Sequence, residues 1–137
     1  MNIQVAVLCD AATDSAGKLN VLGTFDTIIT QQLPAVHPQC SVALRITFST
    51  TDEGQHRLKL TVVDADGQGI MPPIEVPVTI TLPEESHFGT RNFIFNLQQI
   101  SFPSPGLYSV DVLFDDELVV SIALQVRLLE PREPQAT

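Results

Sequence analysis

Carboxylates dominate the side chains that could do chemistry in this chain. They fall in short runs: Asp10 and Asp14 lead into one turn, Asp52-Glu53 opens a second, Glu84-Glu85 a third and Asp115-Asp116-Glu117 a fourth. Carboxylate oxygens converging from several loops can coordinate a divalent cation, as the loops of C2-like sandwiches do. The same array can dock a basic partner surface. The plainer reading of any one turn is local, because Asp side chains bond back to nearby backbone amides and so favour turns. Asp64-Ala65-Asp66-Gly67 starts like a calcium loop but lacks the further ligands and the closing Glu that such a loop requires. An Asp-Gly hairpin turn accounts for it.

The other reactive residue types are sparse. His37, His56 and His87 are far apart in sequence, form no His-x-His pair, and have no carboxylate at a metal-ligand spacing, which argues against a metalloenzyme. Cys9 and Cys40 alternate with apolar neighbours and read as small core residues, not nucleophiles. No Gly-x-Ser-x-Gly elbow, phosphate-cradling glycine loop or dinucleotide fingerprint occurs. Glu84 and Glu85 are adjacent in a loop and do not face one another as an acid/base pair would. Sugar binding usually needs exposed aromatic platforms, and the chain has no Trp and one Tyr. No catalytic residue, metal ligand or cofactor is therefore assigned from the sequence, and none is expected.

Strands must position the acidic turns. Cys40, Val42, Leu44, Ile46 and Phe48 alternate with Ser41, Ala43, Arg45 and Thr47, the period of a half-buried strand. The same period runs through Leu58–Val62, Ile74–Leu82, Tyr108–Phe114 and Leu118–Leu128. At the N-terminus it places Ile3, Val5, Val7 and Cys9 inward, with Ala6 and Leu8 outward. Residues 18–30 read as one strand kinked at Gly23, and residues 88–99 as another. No segment keeps helical spacing over three turns. Pro77 lies inside a strand pattern and marks an edge. Arg91, Asn92, Asn96 and Gln98 form a polar stripe that reads as a solvated face, or as a set of amides that pair across a neighbouring strand or with a partner.

Eight or nine strands with turns every 8–12 residues indicate an all-β, two-sheet antiparallel sandwich. Pro105-Gly106-Leu107-Tyr108 suggests an immunoglobulin-like Greek key, where a tyrosine hydroxyl bonds back to nearby backbone. A jelly roll or C2-like sandwich is the alternative. If every strand runs antiparallel to the next, turns alternate between the two ends. Asp10, Asp14, Asp52, Glu53, Glu84, Glu85, Asp115, Asp116 and Glu117 then share one end, 9 of the chain's 16 acids. This end is the candidate interaction face. A parallel pair would break the parity beyond it.

The 137 residues suffice for one domain with a real core, read as residues 1–129 followed by a loose Pro/Glu tail over 130–137. The net charge of −9 sets a field that repels phosphate backbones and anionic membranes, so neither nucleic acid nor membrane is expected as a partner. No apolar run reaches the length of a membrane helix. Met1 leads straight into a strand pattern without an export leader, so the chain is expected to be cytoplasmic, with both cysteines reduced. Outward apolar residues, among them Ala6, Leu8, Ala43, Ile94 and Leu113, leave a homodimer open.

The opening Asn2-Ile3-Gln4-Val5-Ala6-Val7-Leu8-Cys9-Asp10-Ala11-Ala12-Thr13-Asp14 is distinctive. So are Gly17-Lys18-Leu19-Asn20-Val21-Leu22-Gly23-Thr24-Phe25-Asp26, Arg91-Asn92-Phe93 and Asn96-Leu97-Gln98-Gln99. Together they resemble a family of small bacterial proteins of unknown function, over residues 1–129. The resemblance implies a stand-alone bacterial domain and transfers no activity or site. The leading expectation is a non-enzymatic protein-interaction domain. The alternatives are a divalent-cation-binding C2-like module and an enzyme without a recognisable motif.

Overall fold

A computed structural model of the chain describes residues 1–130. Residues 131–137, most of the expected tail, lie outside the described residues. Nine strands occur in sequence: β1 (Asn2–Ser15), β2 (Lys18–Thr24), β3 (Thr27–Thr30), β4 (Ala35–Phe48), β5 (Gly54–Asp64), β6 (Ile74–Ile80), β7 (Gly89–Phe102), β8 (Gly106–Phe114) and β9 (Glu117–Leu128). They build a four-stranded sheet, β2-β1-β4-β7, and a five-stranded sheet, β3-β9-β8-β5-β6. A 3-10 turn at Thr50–Asp52 is the one helical element among the described residues. The period-two spacing thus gives the all-β, two-sheet fold expected from it.

The core lies between the sheets. Val42, Leu44, Ile46 and Phe48 of β4 are buried on one side, and Leu58, Leu60 and Val62 of β5 with Val110 and Val112 of β8 on the other. β-branched and Leu side chains alternating on both inner faces are what makes these segments strands and not helices. Tyr108 packs its ring edge-on to Phe102, and its hydroxyl donates to the carbonyl of Ser104 at 2.7 Å, the back-bond expected at the start of this strand.

Three local features depart from the sequence reading. The expected single strand over 18–30 is two strands in different sheets. Phe25 N still donates to Leu8 O of β1, whereas Asp26 O already accepts from Gln125 N of β9. The break follows Gly23, whose φ of +68° suits glycine, and where a Cβ would stand 2.5 Å from Asp10 Oδ2. β3 then pairs with β9 in parallel, from Thr27 opposite Gln125 to Thr30 opposite Leu128, so the sandwich is not wholly antiparallel.

The second departure is the phase of β1. Ile3 pairs with Ile46 but Val5 pairs with Arg45, leaving Gln4 as the extra residue of a bulge. A bulge switches the face that follows it. Ala6 and Leu8 therefore point into the core, not outward, and Val5, Val7 and Cys9 lie on the outer face beside Arg45, Ala43 and Ser41.

The third concerns the first hairpin. β1 pairs with β4 only as far as Cys9, and its last residues pair with β2 alone. The hairpin folds back over the outer face of its own sheet. At its tip, Gly17 O accepts from Arg45 Nη1 at 2.9 Å and from Asn92 Nδ2 at 3.2 Å. Ala43 and Ser41 are 0% and 2% exposed although they face away from the main core. The outward Ala43 therefore belongs to a small second core that the hairpin roofs, not to an open apolar patch.

Candidate functional site

The register assigns the turns to ends. Phe48 of β4 lies opposite Gly89 of β7, Gly54 of β5 opposite Ile80 of β6, and Phe114 of β8 opposite Glu117 of β9. The β4–β5, β6–β7 and β8–β9 connections thus gather at one end of the sandwich. They carry Asp52, Glu53, Glu84, Glu85, Asp115, Asp116 and Glu117. Asp10 and Asp14 do not join them. The hairpin doubles back after Cys9, so the first turn lies on the outer face of the four-stranded sheet, level with the Arg45–Asn92 pair, and not among those connections. Asp10 sits against Gly23 at the base of the folded-back hairpin. Asp14 is near the tip, where its Oδ2 accepts from Asn92 Nδ2 at 2.9 Å and its Oδ1 from Gly17 N at 3.0 Å. Those bonds, Asn92 first, hold the Asp14 carboxyl below the usual carboxylate range.

His56 organises the acidic end. Its Nδ1–H donates to Asp115 Oδ2 at 2.5 Å and its Nε2–H to the carbonyl of Asp52 at 2.6 Å, while the ring stacks on Phe114 at 4.8 Å. Both ring nitrogens face acceptors, so the geometry is that of the imidazolium. The Asp115 bond raises the His56 pKa against the opposing effect of partial burial, and the Asp52 carbonyl adds to the rise. In return His56, then the Arg57 amide, lowers the Asp115 carboxyl. Arg57 N donates to Asp115 Oδ1 at 2.9 Å, and its guanidinium reaches Glu75 at 2.9 Å and Asp116 at 3.4 Å.

Asp52 closes the 3-10 turn. It accepts from Ser49 N at 2.8 Å and pairs with the Met1 amino group at 3.1 Å, and the Ser49 amide is the main cause of its lowered pKa. Glu53 Oε1 accepts from Leu82 N at 3.3 Å, tying the β4–β5 connection to the end of β6. The end is therefore divided. Asp52, Glu53 and Asp115 are engaged in holding turns. The side chains of Glu84, Glu85 and Glu117 are exposed and make no hydrogen bond or ion pair among the described residues. Gln55, His56, Arg57, Pro77, Val78, Thr79, Asp115 and Asp116 line an open groove of about 570 Å³ beside them.

Sequence reasoning passed over His56 and Arg57 as site residues. Their signal lies in the fold: the register puts Leu58 opposite Phe114, which brings the residues just before Leu58 level with the Asp115-Asp116 turn. Among the described residues, no three His, Cys, Asp or Glu side chains are grouped so as to hold a metal ion. Cys9 and Cys40 are free and buried. Burial pushes the Cys40 thiol up to about 11 and also raises Cys9, so neither is a ready thiolate. The polar stripe of β7 resolves into a cross-strand ladder: Arg45 Nη1 to Asn92 Oδ1 at 2.9 Å, Ser41 Oγ to Asn96 Oδ1 at 2.7 Å, and Thr47 with Thr90.

Fold and site together define a two-sheet β-sandwich with an acid-rich end braced by one histidine and one arginine. The chain belongs to a family of unknown function (DUF6941), whose model matches residues 4–127. No curated protein matches it. Among solved structures it is similar to the Pseudomonas fluorescens alkylpurine DNA glycosylase AlkC bound to DNA containing an abasic site analog. The identity is 11% and the TM-score 0.45, over 74% of this chain and 27% of that one. The chain thus spans about a quarter of that protein's length, and the likeness carries no functional weight. No helix among the described residues is long and apolar enough to cross a membrane.

Proposed function

We propose that the chain is a non-enzymatic, cytosolic interaction domain that docks a basic partner surface through its acid-rich end. The observation that carries this reading is the division of labour among the acids. Asp52, Glu53 and Asp115 fix the turns, and Glu84, Glu85 and Glu117 stand exposed on that frame without a partner of their own among the described residues. Exposed carboxylates gathered at one end steer a cationic surface toward it and orient its approach. Two features favour docking over catalysis: both ring nitrogens of His56 are engaged, and both thiols are buried with raised pKa. The free, buried cysteines suit a reducing compartment.

The test is co-precipitation from the source cell, comparing the wild type with a Glu84→Gln, Glu85→Gln, Glu117→Gln variant that leaves the braced acids intact. A stoichiometric basic partner held by the wild type alone, and released by salt, supports the reading. Equal capture by both forms removes the acidic end from it. Capture of nothing by either form removes the interaction domain itself.

A further inference from the structure

The sandwich has four edge strands, β2, β7, β3 and β6, and they are not equally guarded. β6 carries Pro77, and Arg91 Nη1 from β7 covers the carbonyl of Thr79 at 3.1 Å. β7 is interrupted at Gln99, where φ is +53° and the pairing skips from Gln98 to Ile100. β3 is four residues long. Edge strands are normally blunted by such devices, because their unpaired amides and carbonyls otherwise template pairing with another chain. β2 has none of them between Lys18 and Leu22. It has no proline, and its one charge stands at the turn.

The backbone of β2 is set for pairing. Ala16 and Gly17 have φ of +52° and +81°, the two-residue turn that closes on Ser15 opposite Lys18. In such a hairpin the closing pair is hydrogen-bonded and the next is not. Lys18, Asn20 and Leu22 therefore turn their amides and carbonyls to β1, and Leu19 and Val21 turn theirs outward. Leu22 is 70% exposed, the most exposed large apolar side chain described.

Charge narrows the occupant. Two copies each carrying −9 meet at least cost where acids are few; β2 itself has none, and the exposed Asp10 and Asp26 stand only at its far end. Its single charge, Lys18, precedes the strand's other end by six residues, and exposed Asp26 lies two residues beyond that end. Antiparallel self-pairing brings the Lys18 of each copy toward the Asp26 of the other, twice over. We propose that β2 is the surface through which two copies of this chain join, antiparallel and edge to edge, into one continuous sheet. Such a contact is isologous and closes on itself as a dimer. It is smaller than a standard interface, so the dimer is a weak one in exchange with monomer.

Sedimentation velocity of the full chain, from micromolar to millimolar concentration, tests this with two variants. Val21→Pro removes an outward N–H without touching the bonds to β1. Leu22→Glu alters no backbone and sets like charges near each other across the two-fold. The wild type is expected to dimerise with rising concentration. Either variant is expected to raise the dissociation constant about a hundredfold, with an unchanged far-ultraviolet spectrum and melting temperature. A wild type monomeric throughout, or a dimer that survives in both variants, overturns the proposal. The result is independent of whether a basic partner binds the acidic end.

Discussion

Two tight turns in this molecule share a backbone and differ in chemistry. The β1–β2 turn places Ala16 and Gly17 at φ of +52° and +81°; the β8–β9 turn places Asp115 and Asp116 at +50° and +66°. The first uses a glycine, which takes positive φ at no steric cost, and its carbonyl is then clasped by Arg45 and Asn92. The second has no glycine. Its conformation is held by side-chain bonds, with Asp115 fastened to His56 and to the Arg57 amide. Left-handed backbone at non-glycine residues costs free energy and persists only where the surroundings enforce it. Both turns are held by side chains around them, and both put a non-glycine residue first; they differ in that glycine eases the second position of one turn and nothing eases that of the other.

The largest expected effect comes from removing the neighbour. His56→Ala deletes two hydrogen bonds, one of them charge-assisted, and the stack on Phe114, and leaves the second turn strained without its brace. A loss of about 2 kcal/mol of unfolding free energy is expected in chemical denaturation. A change within a few tenths would mean that the turn holds itself. At the first turn, Arg45→Ala deletes bonds to Gly17 O, Gln4 and Asn92, but Gly17 keeps its backbone preference. A smaller loss of about 1 kcal/mol is expected. The hairpin roof should also loosen, read as faster alkylation of Cys9, which is fully buried in the wild type. Unchanged alkylation would show that Arg45 does not anchor the roof.

Protonation discriminates the turns further. The folded pKa of His56 is raised, so its contribution is fully present below the ordinary histidine value near 6.5 and is lost as pH rises through the higher folded value. Asp115, Asp52 and Asp14 are lowered, so theirs is present above the ordinary carboxylate value near 4 and is lost as pH falls through the folded values. The melting temperature is therefore expected to be highest between about pH 4.5 and 6.5. Its decline on the alkaline side should vanish in His56→Gln. An alkaline decline that persists in that variant would assign it to another group.

How much of this was legible in the sequence follows from which interactions are local. Strand period gave the two-sheet fold, and Pro105-Gly106-Leu107-Tyr108 gave the tyrosine back-bond, because both depend on near neighbours in the chain. The phase of β1 was not legible, since one extra residue, Gln4, flips every later side chain and only the pairing with β4 reveals it. The path of residues 18–30 was hidden for a similar reason: both halves have strand composition, and the crossing between sheets is made by two backbone bonds. Asp10 and Asp14 were misplaced by the fold-back of the first hairpin, which strand period does not show and which rests on contacts of Gly17 and Asp14 with Arg45 and Asn92. His56 and Arg57 were hidden by distance, since their partners Asp115 and Asp116 lie about 60 residues on, as the separations of 59 show.

The smallest effect is the sharpest test of the contrast. Asp116 is the second left-handed residue of the β8–β9 turn, and its one bond, to the Arg57 guanidinium, is long at 3.4 Å and exposed. Exposed pairs of that kind contribute little. Asp116→Gly should therefore relieve backbone strain at almost no loss of contacts. Glycine also widens the unfolded ensemble, which offsets part of the gain. A net stabilisation of about 0.5 kcal/mol is expected. Gly17→Asp at the first turn should do the reverse and destabilise by about 1 kcal/mol, because left-handed backbone costs a residue with a side chain what it does not cost glycine. If both substitutions shift the denaturation midpoint in the same direction, the glycine is not what distinguishes the two turns.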